Sequence, residues 1–163
     1  MLPDLFQSIR LDGQNALEHV QAAQDLTVKN SAGEGLLHEA IAAGNMAVLE
    51  HLLQAGLDVN CQDSRGQTPL HFAAAYQNRA AARMLLDRGG DLSLADLSGN
   101  TPLWTAVFNA RGKHEVVELL IERGAGPYSQ LENRRGKTPM GFARLVGDQV
   151  LVDMLQAGFA AGT

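Results

Sequence analysis

A nine-residue segment that occurs four times constrains this chain's fold more than any other feature. Asp63-Ser-Arg-Gly-Gln-Thr-Pro-Leu-His71 recurs as Asp96-Leu-Ser-Gly-Asn-Thr-Pro-Leu-Trp104 and as Asn133-Arg-Arg-Gly-Lys-Thr-Pro-Met-Gly141. A weaker copy lies upstream at Asn30-Ser-Ala-Gly-Glu-Gly-Leu-Leu-His38, and successive copies start 33, 33 and 37 residues apart. A second landmark follows the first three: Leu52-Leu53-Gln-Ala-Gly56, Leu85-Leu86-Asp-Arg-Gly89 and Leu120-Ile121-Glu-Arg-Gly124. Such a period means a row of units, each too small to bury its own apolar face, stacked so that neighbours cover one another.

The unit reads as local physics. Thr68-Pro69 and Thr101-Pro102 are helix starts, because a threonine hydroxyl caps an orphan amide and proline suits the first helical position. A short Ala-rich helix follows, then a break such as Gly44-Asn45. A second helix carries Val48, Leu49, Leu52 and Leu53 at helical spacing. Gly56, Gly89 and Gly124 fall just past it, where a left-handed residue ends a helix. An extended stretch such as Asp58 to Asp63 leads through a glycine turn to the next start.

With Thr68-Pro69-Leu70-His71-Phe72-Ala73 as its signature, the chain resembles the ankyrin-repeat family over about residues 30–158. The resemblance implies an all-α repeat solenoid, with stacked helix-turn-helix units joined by β-hairpin loops. Residues 1–163 are expected to form a single domain. Residues 1–29 read as a degenerate capping repeat, 30–62, 63–95 and 96–132 as repeats, and 133–163 as a C-terminal capping repeat. In that last unit Met140-Gly141 replaces Leu-His, and Asp153 stands where Leu119 stood. Polar substitutions on an outer helix are what a capping unit needs. Leu85 and Leu86 in the middle repeat are expected to be the most buried, and Leu155 in the terminal unit to face water on one flank. The longer third interval lengthens the turn at Ala110-Arg111-Gly112 and the hairpin holding Pro127, Tyr128 and Ser129. A binding face and neutral lengthening are both open for these insertions.

Composition narrows the function classes. With 45% hydrophobic and 19% charged residues the chain can bury a core, which excludes disorder throughout. Residues 1–63 hold nine acids against Arg10 and Lys29, net −7; residues 64–163 hold nine acids against eleven bases, net +2. An acidic end and a mildly basic end do not suit a nucleic-acid binder. No apolar run reaches the roughly 18 residues of a membrane span. One cysteine makes no disulfide scaffold and allows a reducing compartment, so a cytoplasmic location is expected. Met1-Leu2-Pro3-Asp4 has an acid where a secretory signal carries basic charge, although a mature chain already relieved of its signal stays open.

A catalytic centre needs a nucleophile or acid–base pair held by a third group, and each candidate has a structural use. Cys61 reads as a small filler beside a hairpin, with redox sensing the alternative. His38 and His71 stand at the helix-start position, where the resemblance implies hydrogen bonding between neighbouring repeats. His19, His51 and His114 have neither i, i+4 pairing nor a cysteine partner, so no zinc site is expected. Gly33-Glu-Gly35 lacks the third glycine of a dinucleotide loop, and Asp58 to Asp63 lacks the glycine and glutamate of a calcium loop. The chain therefore reads as no enzyme, with no cofactor and no metal.

What remains is a binding surface. The resemblance puts hairpin tips and first-helix faces on one concave side. By register that side presents Arg65, Gln67, Asn100, Arg134, Arg135 and Lys137 from the hairpins. The first helices add Phe72, Tyr76, Thr105, Phe108, Asn109 and Phe142, with Glu39 at the register position of Phe72. Phe72, Tyr76, Phe108 and Phe142 are expected to converge as an exposed aromatic patch, a frequent partner site. Core filling is the alternative. Trp104 replaces the helix-start histidine and is expected to be partly buried, while the basic tips favour an acidic partner. These features imply a protein-interaction module, monomeric when unbound, that holds one partner protein in its groove. Asn100 to Asn109, with Arg111-Gly112 after it, is similar to small free-standing bacterial ankyrin proteins found beside secreted toxins. An immunity protein that occludes its toxin and a general adaptor or regulatory inhibitor, for example of a kinase or transcription factor, are both open.

Overall fold

Ten α-helices in five successive pairs make up the described part of the molecule. A computed structural model describes residues 4–13 and 15–162, so readings placed on Met1-Leu2-Pro3, Gln14 and Thr163 lie outside the described residues. The pairs are α1 (Leu5–Leu11) with α2 (Ala16–Ala22), α3 (Leu36–Ala42) with α4 (Met46–Gln54), and α5 (Pro69–Ala75) with α6 (Arg79–Leu86). They continue with α7 (Pro102–Asn109) and α8 (Glu115–Leu120), then α9 (Pro139–Leu145) and α10 (Gln149–Ala161).

The helix starts follow from the cap residues. The hydroxyls of Thr68, Thr101 and Thr138 accept from the third helical amide of α5, α7 and α9, with proline at the first position each time. Asn45, Asn78 and Asp148 cap α4, α6 and α10 in the same way, at 3.1, 3.0 and 3.0 Å. Past the second helices, Gly56, Gly89 and Gly124 take φ of 81°, 85° and 101°, a left-handed backbone in which a Cβ is strained.

Successive first helices lie against one another from α1 to α9, and successive second helices from α2 to α8. Leu37, Leu70, Leu103 and Met140 fill the seam between the two rows, and Ala40, Ala73, Ala106 and Ala143 are fully buried. Alanine at that register lets neighbouring helices approach closely. One position on, Ile41, Ala74 and Val107 are buried, whereas Arg144 is exposed, so the last unit turns a charged side chain to water where the inner units stack.

The hairpins are tight turns closed by side chains. The Oδ1 atoms of Asn30, Asp63, Asp96 and Asn133 each accept two backbone amides of their own turn, such as Arg65 N–H and Gln67 N–H at 2.8 Å for Asp63. Tips are tied across units by Ser64 N–H to Ala32 O, Leu97 N–H to Arg65 O and Arg134 N–H to Ser98 O, at 3.0, 2.8 and 2.9 Å. Among the described residues the only bridge of strand type joins Lys29 to Gly35.

Three expectations change here. Residues 126–130 do not lengthen a hairpin tip; Gly126–Gln130 is a 3-10 turn, and the tip after it closes by the same Asn133-to-Lys137 pairing as Asp63 to Gln67. The turn packs against α10, which is longer than the other second helices. A Cβ on Gly126 would run into the carbonyl of Gly158, so only glycine lets the two backbones touch. That cover also explains why Leu155 is fully buried instead of facing water on one flank. In the middle repeat Leu85 is fully buried, but Leu86 is only half-buried.

Candidate functional site

The face shared by first helices and hairpins is organised by one ring at the same register in three units. Gly35 N–H and Thr68 N–H donate to Nδ1 of His38 and His71, at 3.2 and 3.1 Å. With Nδ1 accepting, Nε2 carries the hydrogen and donates to the next unit's backbone: His38 to Gln67 O at 3.0 Å, His71 to Asn100 O at 2.9 Å. Burial pushes both imidazole pKa values down, which keeps the rings in this neutral form. Trp104 makes the corresponding bond, Nε1–H to Lys137 O at 3.1 Å.

The indole does more than the imidazole it replaces. Its ring lies 5.4 Å from Phe108 and 5.6 Å from Phe142, and those two lie 5.2 Å apart, all tilted by about 40° within the favoured range for aromatic contact. Phe108 is 52% exposed, while Trp104 and Phe142 are half-buried. The register of Phe108 is held by Ala42 and Ala75 in the two preceding units.

The four expected rings do not form one patch. Phe72 is buried, its ring 4.9 Å from that of His38 and nearly perpendicular to it, and 6.4 Å from that of Tyr76, apart from the Trp104 group. Thr105 and Glu39, at the same register as Phe72, are also buried. That position turns toward the preceding unit, yet Thr105 still lines the groove beside Trp104 and Phe108, and Phe142 lines two more. Glu39 accepts both Nε–H and Nη2–H of Arg10 from α1 at 2.8 Å, and Phe142 leans on the rings before it. Tyr76 is exposed as expected, and Asn109 is half-buried, donating through Nδ2 to Thr105 O.

Three open grooves meet on the Trp104, Phe108 and Phe142 rings. One, of about 490 Å³, runs between the hairpins and first helices of three units, with Gln67, Asn100, Asn109, Arg135 and Lys137 around Trp104 and Phe108. A second, also about 490 Å³, opens beside the inserted Arg111-Gly112 turn against Phe108 and Phe142. A third, of about 410 Å³, has Lys137 and Leu145 beside Trp104 and Phe142. Arg65 stands elsewhere, 3.9 Å from Glu34 and 3.8 Å from Asp63, its charge already matched. Arg134 is exposed and carries the tip-to-tip bond through its backbone. Arg111, outside the expected set, joins the site because the insertion brings it there with φ 46°.

Elsewhere the described residues hold little reactive chemistry. Ser8 Oγ lies 3.0 Å from His19 Nδ1, and Asp12 lies 3.8 Å from that same nitrogen. A nucleophile relay needs hydroxyl and carboxylate on opposite ring nitrogens, and Ser8 is buried. Burial pushes the Cys61 thiol pKa up, away from the reactive thiolate. No cluster of three metal-ligating side chains occurs among the described residues, and no described helix is long and apolar enough to cross a membrane.

A family model for ankyrin repeats, in three copies, matches residues 37–130. The chain belongs to the ankyrin-repeat family. A comparison with curated proteins gives no match. Ankyrin repeats are protein–protein interaction modules.

Proposed function

We propose that this ankyrin-repeat chain, a monomer when unbound, captures one partner protein on the face formed by its first helices and hairpin tips. Contacts come from Gln67, Tyr76, Asn100, Thr105, Phe108, Asn109, Phe142, Arg134, Arg135 and Lys137, while Phe72 supports the surface from beneath. The observation that carries this reading is the exposure of Phe108 beside Trp104 and Phe142, at a register where two other units need only alanine. Aromatic side chains in such a position supply desolvated contact area at low entropic cost. Binding needs no chemistry from this chain, so an enzyme partner is inhibited by occlusion. Its place of action is a reducing compartment, the cytoplasm, where Cys61 stays a thiol.

The finer version is an immunity protein for a bacterial toxin. The similarity of residues 100–112 to small free-standing ankyrin proteins found beside toxins supports it. An adaptor or regulatory inhibitor, for example of a kinase or transcription factor, fits the family match equally well. Affinity capture with wild-type chain, Phe108→Ala and the outer-helix control Glu118→Ala separates these readings, after circular dichroism has shown each variant folded. A partner held by wild type and Glu118→Ala but lost by Phe108→Ala supports the groove. Loss only in Glu118→Ala places the partner on the outer helices instead. A captured enzyme silenced by one equivalent of the chain supports occlusion; a captured enzyme that stays active in the complex favours the adaptor.

A further inference from the structure

We infer that the segment seated on Trp104, Phe108 and Phe142 is acidic on both sides of one large apolar side chain. The inference rests on the groove reading above and adds the chemistry of what the groove takes. The apolar residue seats on the three rings. Its flanking carboxylates meet Arg135 and Lys137 on the hairpin side and Arg111 on the side of the inserted turn, since the three grooves that meet on the rings carry these bases around their edges.

The charge state of the site is what selects an acidic occupant. Arg111, Arg135 and Lys137 are exposed, and none forms an ion pair among the described residues, unlike Arg10, Arg65, Arg79 and Arg123. The two acids that line the same grooves are already occupied by their own scaffold. Asp96 accepts Ser98 N–H, Asn100 N–H and the Asn100 amide. Asp148 accepts Leu151 N–H and meets His114 at 2.7 Å, contacts that hold its carboxyl below the usual range. Glu132 is the single acid on the hairpin that carries Arg134, Arg135 and Lys137. A cation could stack on aromatic rings in general, but three free bases around these rings repel it. Trp104 strengthens the assignment, because a histidine at that register already makes the inter-repeat bond in two other units. The extra ring area is surplus to the stack and faces the groove.

Trp104 is the only tryptophan in the chain, so its indole N–H resonance reports on the site directly. The test titrates the full ¹⁵N-labelled chain with three end-blocked peptides of equal length: phenylalanine between Asp/Glu residues, alanine between the same acids, and phenylalanine between lysines. The acidic phenylalanine peptide is expected to move the Trp104 resonance and to bind about tenfold tighter than either control. Its binding is expected to weaken steeply from ~50 to ~500 mM NaCl. Arg135→Glu combined with Lys137→Glu is expected to weaken it by a further tenfold or so, and Arg65→Glu to leave it unchanged. Equal binding of the lysine peptide, indifference to the double charge reversal, or no response to any peptide overturns the inference. The captured protein partner keeps the two readings apart. Capture lost on Phe108→Ala but indifferent to the charge reversals overturns the acidic assignment and leaves the groove standing, whereas capture indifferent to both overturns both.

Discussion

The indole N–H of Trp104 donates to the carbonyl of Lys137 across a repeat boundary, at the place where His71 donates to Asn100 one unit earlier. A single bond type thus ties four units together, and the residue that makes it changes just where the exposed rings gather. Structural and binding roles of Trp104 are separable for that reason.

Trp104→His is expected to keep the inter-repeat bond and to stay within about 1 kcal/mol of wild-type stability. Trp104→Ala removes both the bond and the half-buried ring, and is expected to cost about 2 kcal/mol or more. Urea titration followed by circular dichroism measures both. Partner capture is expected to fail in both variants, because the imidazole restores the scaffold and not the platform. Equal stability loss in the two variants would contradict the structural half of this account.

Acid is expected to destabilise the stack through His38 and His71. Burial lowers both pKa values, so in the folded chain the rings stay neutral where the unfolded chain's histidines take up protons. Stability is therefore fully present above about pH 6.5, the unfolded value, and falls as pH drops toward the lower folded values. Each histidine contributes a slope of at most about 1.4 kcal/mol per pH unit over that window. Urea midpoints between pH 8 and pH 5 measure it, and His71→Gln is expected to flatten the curve. A midpoint that rises on acidification through this range would contradict the buried neutral rings.

Leu85→Ala and Leu155→Ala are expected to cost similar amounts, about 2–5 kcal/mol each, since both side chains are fully buried. Leu86→Ala is expected to cost less than either. Near-equal losses at Leu85 and Leu155 on denaturant titration identify the 3-10 turn as true cover for α10. A much smaller loss at Leu155 would mean that this cover opens readily.

Gly126→Ala is expected to destabilise the last unit by about 2–3 kcal/mol, the cost of an overpacked contact that only backbone movement relieves. Gly158→Ala meets Cγ2 of the β-branched Ile121, whose χ1 is stiff on a helical backbone, and is expected to cost a comparable amount. Gly147→Ala serves as control: it has open space around it, and its φ of 73° alone costs about 1–2 kcal/mol. Thermal denaturation of the three variants gives the order, and an unperturbed Gly126→Ala would show that the two backbones do not meet.

The period, the Thr-Pro helix starts and the left-handed glycines were all readable along the chain because each acts over a few residues. A capping hydroxyl reaches the third amide, proline sets its own φ, and Gly56 needs no distant partner to end α4. The shared register of His38, His71 and Trp104 was readable too, since a strict repeat carries position from unit to unit. Phe72 and Phe108 mark where that reasoning stops. Both are phenylalanines on first helices of neighbouring units, yet one packs on the unit before it and the other meets solvent. The two stand at different registers of the unit, Phe72 with Glu39 and Thr105, Phe108 with Ala42 and Ala75, and which register a neighbouring helix covers emerges only when the helices pack. The segment Gly126–Gln130 is the same case: its residues suit a hairpin or a helical turn, and Gly158, distant in sequence, selects the turn by letting two backbones close. Local hydrogen bonding and backbone sterics are written into the order of residues, while the facing of side chains and the meeting of distant glycines belong to the packed stack.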